Sequence, residues 1–184
     1  AWINGLSPAN ADLINNIIYR GNLLHDVGSY TFSSAYCPFT RFYNNTVVRS
    51  GVTVPQLASV DVESYSTNSC SMNNIFYNCN SNLPGVNFYY AAIFPANFYH
   101  DYDLFYMSGS IGSSEPHLVT QDPLLASADG LDFHLQSGSP ARAGAGPQTT
   151  TTASGVSTTV VPVADAGFFT DGGGLVEADR ILVG

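Results

Sequence analysis

One short pattern returns along this chain every 29 residues, and that period restricts the fold more than any other feature. Asn15-Asn16 opens Asn-Asn-Ile-Ile-Tyr, Asn44-Asn45 opens Asn-Asn-Thr-Val-Val, and Asn73-Asn74 opens Asn-Asn-Ile-Phe-Tyr. The next interval lands on Tyr102-Asp103-Leu104-Phe105-Tyr106, with Asp in place of the second Asn. Pro55 and Pro84 keep the same spacing, as do Arg20 and Arg49, and Val60 and Val62 correspond to Tyr89 and Ala91. A propeller blade needs roughly 40–50 residues, and the Leu-x-x-Leu-x-Leu frame of a leucine-rich horseshoe is absent. A unit of this length suits two or three short strands that return to their start, so that the next unit pairs with them about 4.8 Å away. Equivalent side chains then form ladders. A buried Asn in such a ladder is tolerated because its amide finds partners on its own backbone and on the Asn of the next unit. The expectation is an all-β chain: a right-handed parallel β-helix of about four 29-residue coils, with Asn16, Asn45 and Asn74 directly over one another. A short β tail would follow.

Composition agrees with a β-protein. Seventeen Gly, ten Pro and 22 Phe plus Tyr favour strands and turns, and no stretch sustains a 3.6-residue apolar period. With 45% hydrophobic residues, a core can form. All five basic residues are arginine, against 14 acidic ones, for a net charge of −9. That balance argues against nucleic acid and against a polybasic membrane anchor. No apolar run approaches a transmembrane span of roughly 20 residues. Only 10% of residues are charged, so Asn, Ser, Thr, Gly and Tyr carry the surface, a composition that points to an extracellular, secreted protein. Cys37, Cys70 and Cys79 form no C-x-x-C pair, which argues against structural zinc; the simplest reading is buried apolar thiols.

Three segments are expected: residues 1–146 as the repeat region with a closing segment, 147–159 as a Thr/Ser-rich linker, and 160–184 as an incomplete β-segment. Residues 107–121 interrupt the period and read as a loop. Ala1-Trp2-Ile3 falls inside a coil, so the expectation is a piece of a longer β-helix, or an end covered by another subunit.

Tyr-Asn-Asn-Thr-Val-Val at 43–48 and Asn-Asn-Ile-Phe-Tyr-Asn at 73–78 resemble coils of secreted right-handed parallel β-helix proteins, the pectate-lyase-like superfamily. Asp122-Pro123-Leu124-Leu125 and Asp132-Phe133-His134-Leu135-Gln136-Ser137-Gly138-Ser139-Pro140-Ala141 are similar to the closing segment of such proteins, and so to their C-terminal portion. Arg142 departs from that pattern, where an aliphatic residue is common. The resemblance implies the fold; it does not select a function, because the superfamily mixes lyases, hydrolases, epimerases and adhesins. Its lyases use Lys or Arg as base, often with Ca²⁺, and this chain has no Lys.

Several residues carry candidate chemistry. Asp61 and Glu63 flank Val62 on one strand face, as an acid pair for glycoside cleavage or as two oxygen ligands for Ca²⁺, or simply as a solvated face. Arg20 and Arg49, read as stacked one coil apart, would clamp the carboxylates of acidic sugars or merely be solvated turn residues. Arg41 would pair with Asp12 across coils. His100 and Asp101 form a further candidate, while Asp103 reads as a ladder substitute. Tyr89 and Tyr99 belong to nine aromatics between Phe88 and Tyr106; those facing outward suit sugar rings or a protein partner. The candidate catalytic set is therefore Asp61, Glu63, Arg49 and His100. The ligand-binding set is Arg20, Tyr89, Tyr99 and Asp101. No dedicated metal site is read, and Ca²⁺ is the one cofactor the acidic residues would suit. Asn44-Asn45-Thr46 fits the glycosylation pattern, but a ladder position would bury it.

The expected function is a secreted β-helix that binds or processes extracellular polysaccharide, as a lyase or glycoside hydrolase if it is an enzyme. The alternative is a structural or adhesive subunit whose ends contact other subunits in an open filament. A third reading is the non-catalytic carbohydrate-binding region of a larger enzyme.

Overall fold

The computed structural model describes residues 2–4, 15–28, 31–51, 60–62, 65–79, 89–90, 97–108, 115–153, 160–171, 174 and 177–180. The chain divides into two units, Ala1–Gly146 and Pro147–Gly184. Among its described residues the first holds twelve short strands in three parallel sheets, followed by a two-stranded hairpin. One sheet joins β1 (Trp2–Asn4), β4 (Phe32–Ala35), β7 (Val60–Val62) and β10 (Tyr89–Tyr90). The second joins β2 (Ile18–Arg20), β5 (Arg41–Tyr43), β8 (Cys70–Met72) and β11 (Tyr99–Asp101). The third joins β3 (Leu23–His25), β6 (Thr46–Val48), β9 (Ile75–Tyr77) and β12 (Leu104–Tyr106).

From β5 onward the second and third sheets keep the 29-residue register: Arg41 pairs with Cys70 and Cys70 with Tyr99, while Thr46 pairs with Ile75 and Ile75 with Leu104. The first interval is shorter. Ile18 pairs with Arg41 and Leu23 with Thr46, a step of 23 residues (41 minus 18). This corrects the expected start of the ladder. Asn22, not Asn16, lies beside Asn45, and the Asn16 N–H instead donates to the Pro38 carbonyl at 3.1 Å. Arg20 is in register with Tyr43, so it does not stack on Arg49; Arg41 is in register with Ile18, so its strand neighbour is not Asp12.

The reason is the backbone at the corner between the second and third sheets. Its first residue is left-handed every time: Gly21 (φ 61°), Asn44 (55°), Asn73 (56°) and Tyr102 (59°). Gly accepts that conformation without strain and Asn does so more readily than most residues. Gly21-Asn22-Leu23-Leu24 therefore supplies the corner, the amide and the apolar pair as well as the more conspicuous Asn15-Asn16 motif could. A second left-handed column, Asp26, Arg49, Asn78 and Met107, ends the strands of the third sheet. A third, Asn16, Phe39, Asn68 and Asn97, precedes those of the second.

Alternation along each strand fills the interior. Leu24, Val47, Phe76 and Phe105 share one column of the third sheet. Tyr19 stacks on Phe42 (5.0 Å, 4° between planes) and Phe76 on Phe105 (4.9 Å, 17°). Beside them runs the side-chain ladder. Asn22 Nδ2 donates to Asn45 Oδ1, Asn45 Nδ2 to Asn74 Oδ1 and Asn74 Nδ2 to Asp103 Oδ1, each at 2.9 Å. Each amide also donates sideways or receives a backbone N–H, as Asn74 does toward the Phe42 carbonyl and from the Asn45 N–H. The amide therefore satisfies buried backbone groups that would otherwise cost about 1–3 kcal/mol each. Cys37, Cys70 and Cys79 are all buried as thiols. Cys79 Sγ reaches the Val47 carbonyl in the way Ser108 Oγ reaches that of Phe76.

After the repeats, β13 (Leu125–Ser127) and β14 (Asp132–Leu135) form an antiparallel hairpin, followed by the one-turn helix α1 (Pro140–Ala143), capped by the Ser139 hydroxyl. In the second unit the Thr-rich stretch expected as a linker takes part in pairing. Thr151 bridges Val163, and the Thr152 and Ala164 N–H groups bond the Pro162 and Thr150 carbonyls. The Asp165 side chain then caps a 3-10 turn over Ala166–Phe168.

Candidate functional site

The chemistry gathers at β11, the last strand of the second sheet. His100 occupies the inward column that holds Tyr19, Phe42 and Ser71 in earlier strands, and Tyr99 and Asp101 point to the other face. Asp101 is almost wholly buried. One of its oxygens accepts the Tyr102 and His117 backbone N–H groups at 2.9 and 2.8 Å. The other accepts the Tyr99 hydroxyl at 3.0 Å and lies 2.8 Å from His117 Nδ1. Burial raises the Asp101 carboxyl, but the bonds from the His117 ring, the His117 and Tyr102 N–H groups and the Tyr99 hydroxyl outweigh it and hold the group below its usual range. The Tyr99 phenol is pushed up to about 12, first by burial and then by its bond to Asp101.

His117 lies flat on Tyr102, with ring centroids 4.3 Å apart and planes 3° apart, and its side chain is 57% exposed. The carboxylate facing Nδ1 fixes the orientation of the imidazole ring. Tyr99, 48% exposed, sits on the same carboxylate. The result is an exposed phenol ring and an exposed imidazole, both oriented by one buried charge. Behind Tyr102, the Asn73 side chain exchanges two hydrogen bonds with the backbone of Gly146 (2.8 and 2.9 Å). A Cβ at Gly146 would fall 2.3 Å from the Tyr102 ring, so only glycine lets the closing segment lie against it.

The inner face of β11 is different. The Glu115 side chain is fully buried; one oxygen lies 3.1 Å from His100 Nδ1 and the other accepts the Asp103 N–H at 3.1 Å. Asp103 accepts the Asn74 N–H and amide on one oxygen and the Ser71 hydroxyl, at 2.6 Å, on the other. Glu115 thus stands to Asp103 as Asp103 stands to Asn74, although it arrives 12 residues later rather than 29 (115 minus 103).

The structure brings together three residues of the sequence-based sets, Tyr99, His100 and Asp101, on one strand. Arg49 belongs to another corner. Its Nε and Nη2 grip Asp26 at 2.7 and 3.0 Å, and Nη1 bonds the Ala128 carbonyl at 3.0 Å, anchoring the β13–β14 hairpin. Phe133 of that hairpin stacks on His25. The Arg49 bonds hold Asp26 below the ordinary carboxylate range, with His25 adding to the effect. Arg20 closes β2, half-buried. Asp61 lies on β7 in register with Ser33 and Tyr90, and Tyr89 lies on β10 in register with Val60; their side chains, and all of Glu63, fall outside the described residues. Asn44, expected to be buried, is exposed at its corner, and Asn45 is the buried ladder residue. Among the described residues no group of three or more His, Cys, Asp and Glu side chains is placed to hold a metal ion.

His117 and Glu115 were not selected from sequence, because they lie in the stretch that breaks the repeat and reads as a loop. The available signal was local: two titratable residues flank Pro116 just after a strand that itself carries His and Asp. The fold and site define a mostly β protein with parallel sheets and a tyrosine–imidazole pair set on a buried carboxylate. Comparison with known proteins finds no match among family models, curated proteins or solved structures.

Proposed function

We propose that residues 1–146 form a right-handed parallel β-helix belonging to a secreted protein, and that it binds extracellular polysaccharide at Tyr99, Asp101 and His117. The β-helix reading is supported by three parallel sheets whose strands repeat in register, and by the right-handed crossover that parallel strands strongly favour. The observation that carries the binding reading is the exposed Tyr99–His117 pair oriented by buried Asp101. A tyrosine offers an apolar face to a sugar ring, and an imidazole ring nitrogen hydrogen-bonds a sugar hydroxyl. Neutral glycans fit better than acidic ones. The chain carries a net charge of −9, and the arginine expected to clamp carboxylates, Arg49, is already engaged by Asp26. The proposed role is binding, because Arg49 and His100 of the candidate catalytic set serve separate structural pairs.

Glycan-array screening followed by calorimetry tests this reading. The chain should bind neutral polysaccharide more tightly than polygalacturonate, and Tyr99→Ala and His117→Ala should each weaken binding at least tenfold without unfolding the protein. Parent-like binding by both variants, or no glycan binding by the parent chain, would reject it.

A further inference from the structure

Residues Glu115 to His117 are fastened on both faces of β11, the last strand of the second sheet among the described residues. On the inner face Glu115 takes the His100 ring nitrogen and the Asp103 N–H. On the outer face His117 gives its backbone N–H and its Nδ1 to Asp101. The two histidine–carboxylate pairs run in opposite senses: strand imidazole to loop carboxylate inside, loop imidazole to strand carboxylate outside. Pro116 between them is exposed. Each of the four bonds ends on a carboxylate, Asp101 or Glu115, and both carboxylates are buried. The grip is therefore polar and is made in two places at once.

We propose that residues 115–117 form an acid-releasable strap, which stays fastened to β11 while Asp101 is ionised and loosens when Asp101 takes up a proton. The groups facing Asp101 are Tyr99 from β11, Tyr102 from the corner and His117 from the strap; Cys70 of β8 lies close to Tyr99. Those facing Glu115 are His100 and the Asp103 backbone, with the Asp103 carboxylate held by Ser71 and Asn74. Protonating a carboxylate removes the charge-assisted half of each bond and leaves a buried donor to compete for fewer acceptors. Release would free the Asp103 and His117 amides for exchange. This device shares the Asp101–His117 contact with the glycan reading, and exchange measured without glycan keeps the failure of one distinct from the failure of the other.

Hydrogen exchange followed by mass spectrometry on the full chain tests it. Peptides spanning 99–106 and 115–121 are compared with a reference peptide spanning 41–48, with intrinsic rates corrected for pH. Protection at 115–121 should fall at least tenfold relative to the reference between pH 7 and pH 3. Asp101→Asn should show that loss already at pH 7. Should Asp101→Asn fail to fold, His117→Ala, altered only at an exposed ring, should show it instead. Protection at 115–121 that stays level with the reference down to pH 3 would overturn the proposal. So would simultaneous loss in all three peptides, because that is global unfolding, and so would a folded variant with parent-like protection at pH 7.

Discussion

Strands β5 and β6 and strands β11 and β12 share one plan, a three-residue strand, a left-handed corner, a buried polar residue and a second three-residue strand, yet their interiors differ. Around β5 and β6 the inward residues are Phe42, Asn45 and Val47; around β11 and β12 they are His100, Asp103 and Phe105. An amide in mid-ladder must accept from one neighbour and donate to the next, as Asn45 and Asn74 do. At Asp103 the described ladder bonds run inward, toward Asn74 and Ser71. Asp103 accepts from Asn74 and Ser71, and Glu115 accepts from Asp103 and faces His100. A carboxylate, which only accepts, suits the terminal place and no other. In the two compared rungs, the inward places held by carbon and amide around β5 and β6 pass to His100 and Asp103 around β11 and β12.

The sharpest way to break this contrast is to exchange the two chemistries. Asn74→Asp should destabilise the protein by about 3–5 kcal/mol in urea unfolding, because a buried carboxylate would face the Phe42 carbonyl and the Asp103 carboxylate. Asp103→Asn should cost only about 1 kcal/mol, because Oδ1 keeps both bonds from Asn74 and the Ser71 hydroxyl can turn. Similar costs for the two would show that the ladder has no direction. An intermediate effect concerns pH. Since the Asp101 carboxyl is held below its unfolded value, its contribution is fully present above the ordinary carboxylate range and is lost as pH falls through the folded value. The Asp101→Asn variant should therefore lose less stability than the parent on acidification, as thermal unfolding at pH 3 and pH 7 would show. A steeper loss in the variant would contradict the assignment. The smallest effect belongs to the middle. The buried Tyr19 hydroxyl has no hydrogen-bond partner among the described residues, and burial, with the nearby Cys37 thiol, pushes its phenol up to about 12. Tyr19→Phe should be neutral or stabilise by up to about 1 kcal/mol; a clear loss would mean that the hydroxyl is satisfied in solution.

The 29-residue period, the all-β character and the role of Asn45, Asn74 and Asp103 were legible in the sequence, because identical units must present identical side chains to their neighbours. The first interval was not. Asn15-Asn16 and Gly21-Asn22 both satisfy the local rule of a residue tolerant of positive φ, then an amide, then an apolar run, and only pairing with β5 and β6 selects the second. Tyr99, His100 and Asp101 could be picked out as chemically loaded, but not sorted between faces by composition. His117 and Glu115 were hidden because their partners are distant in the chain and follow no period.

What the amino-acid order determined alone is therefore the repeating part: strand length, corner chemistry and the ladder, all local or periodic properties. What the tertiary structure decided is where the period slips by six residues (29 minus 23) and how a non-repeating segment reaches back over the last strand. The physical reason is that periodic contacts recur at fixed sequence separation and so leave a trace in the sequence. A single contact closed by a loop leaves none until the chain brings its two sides together.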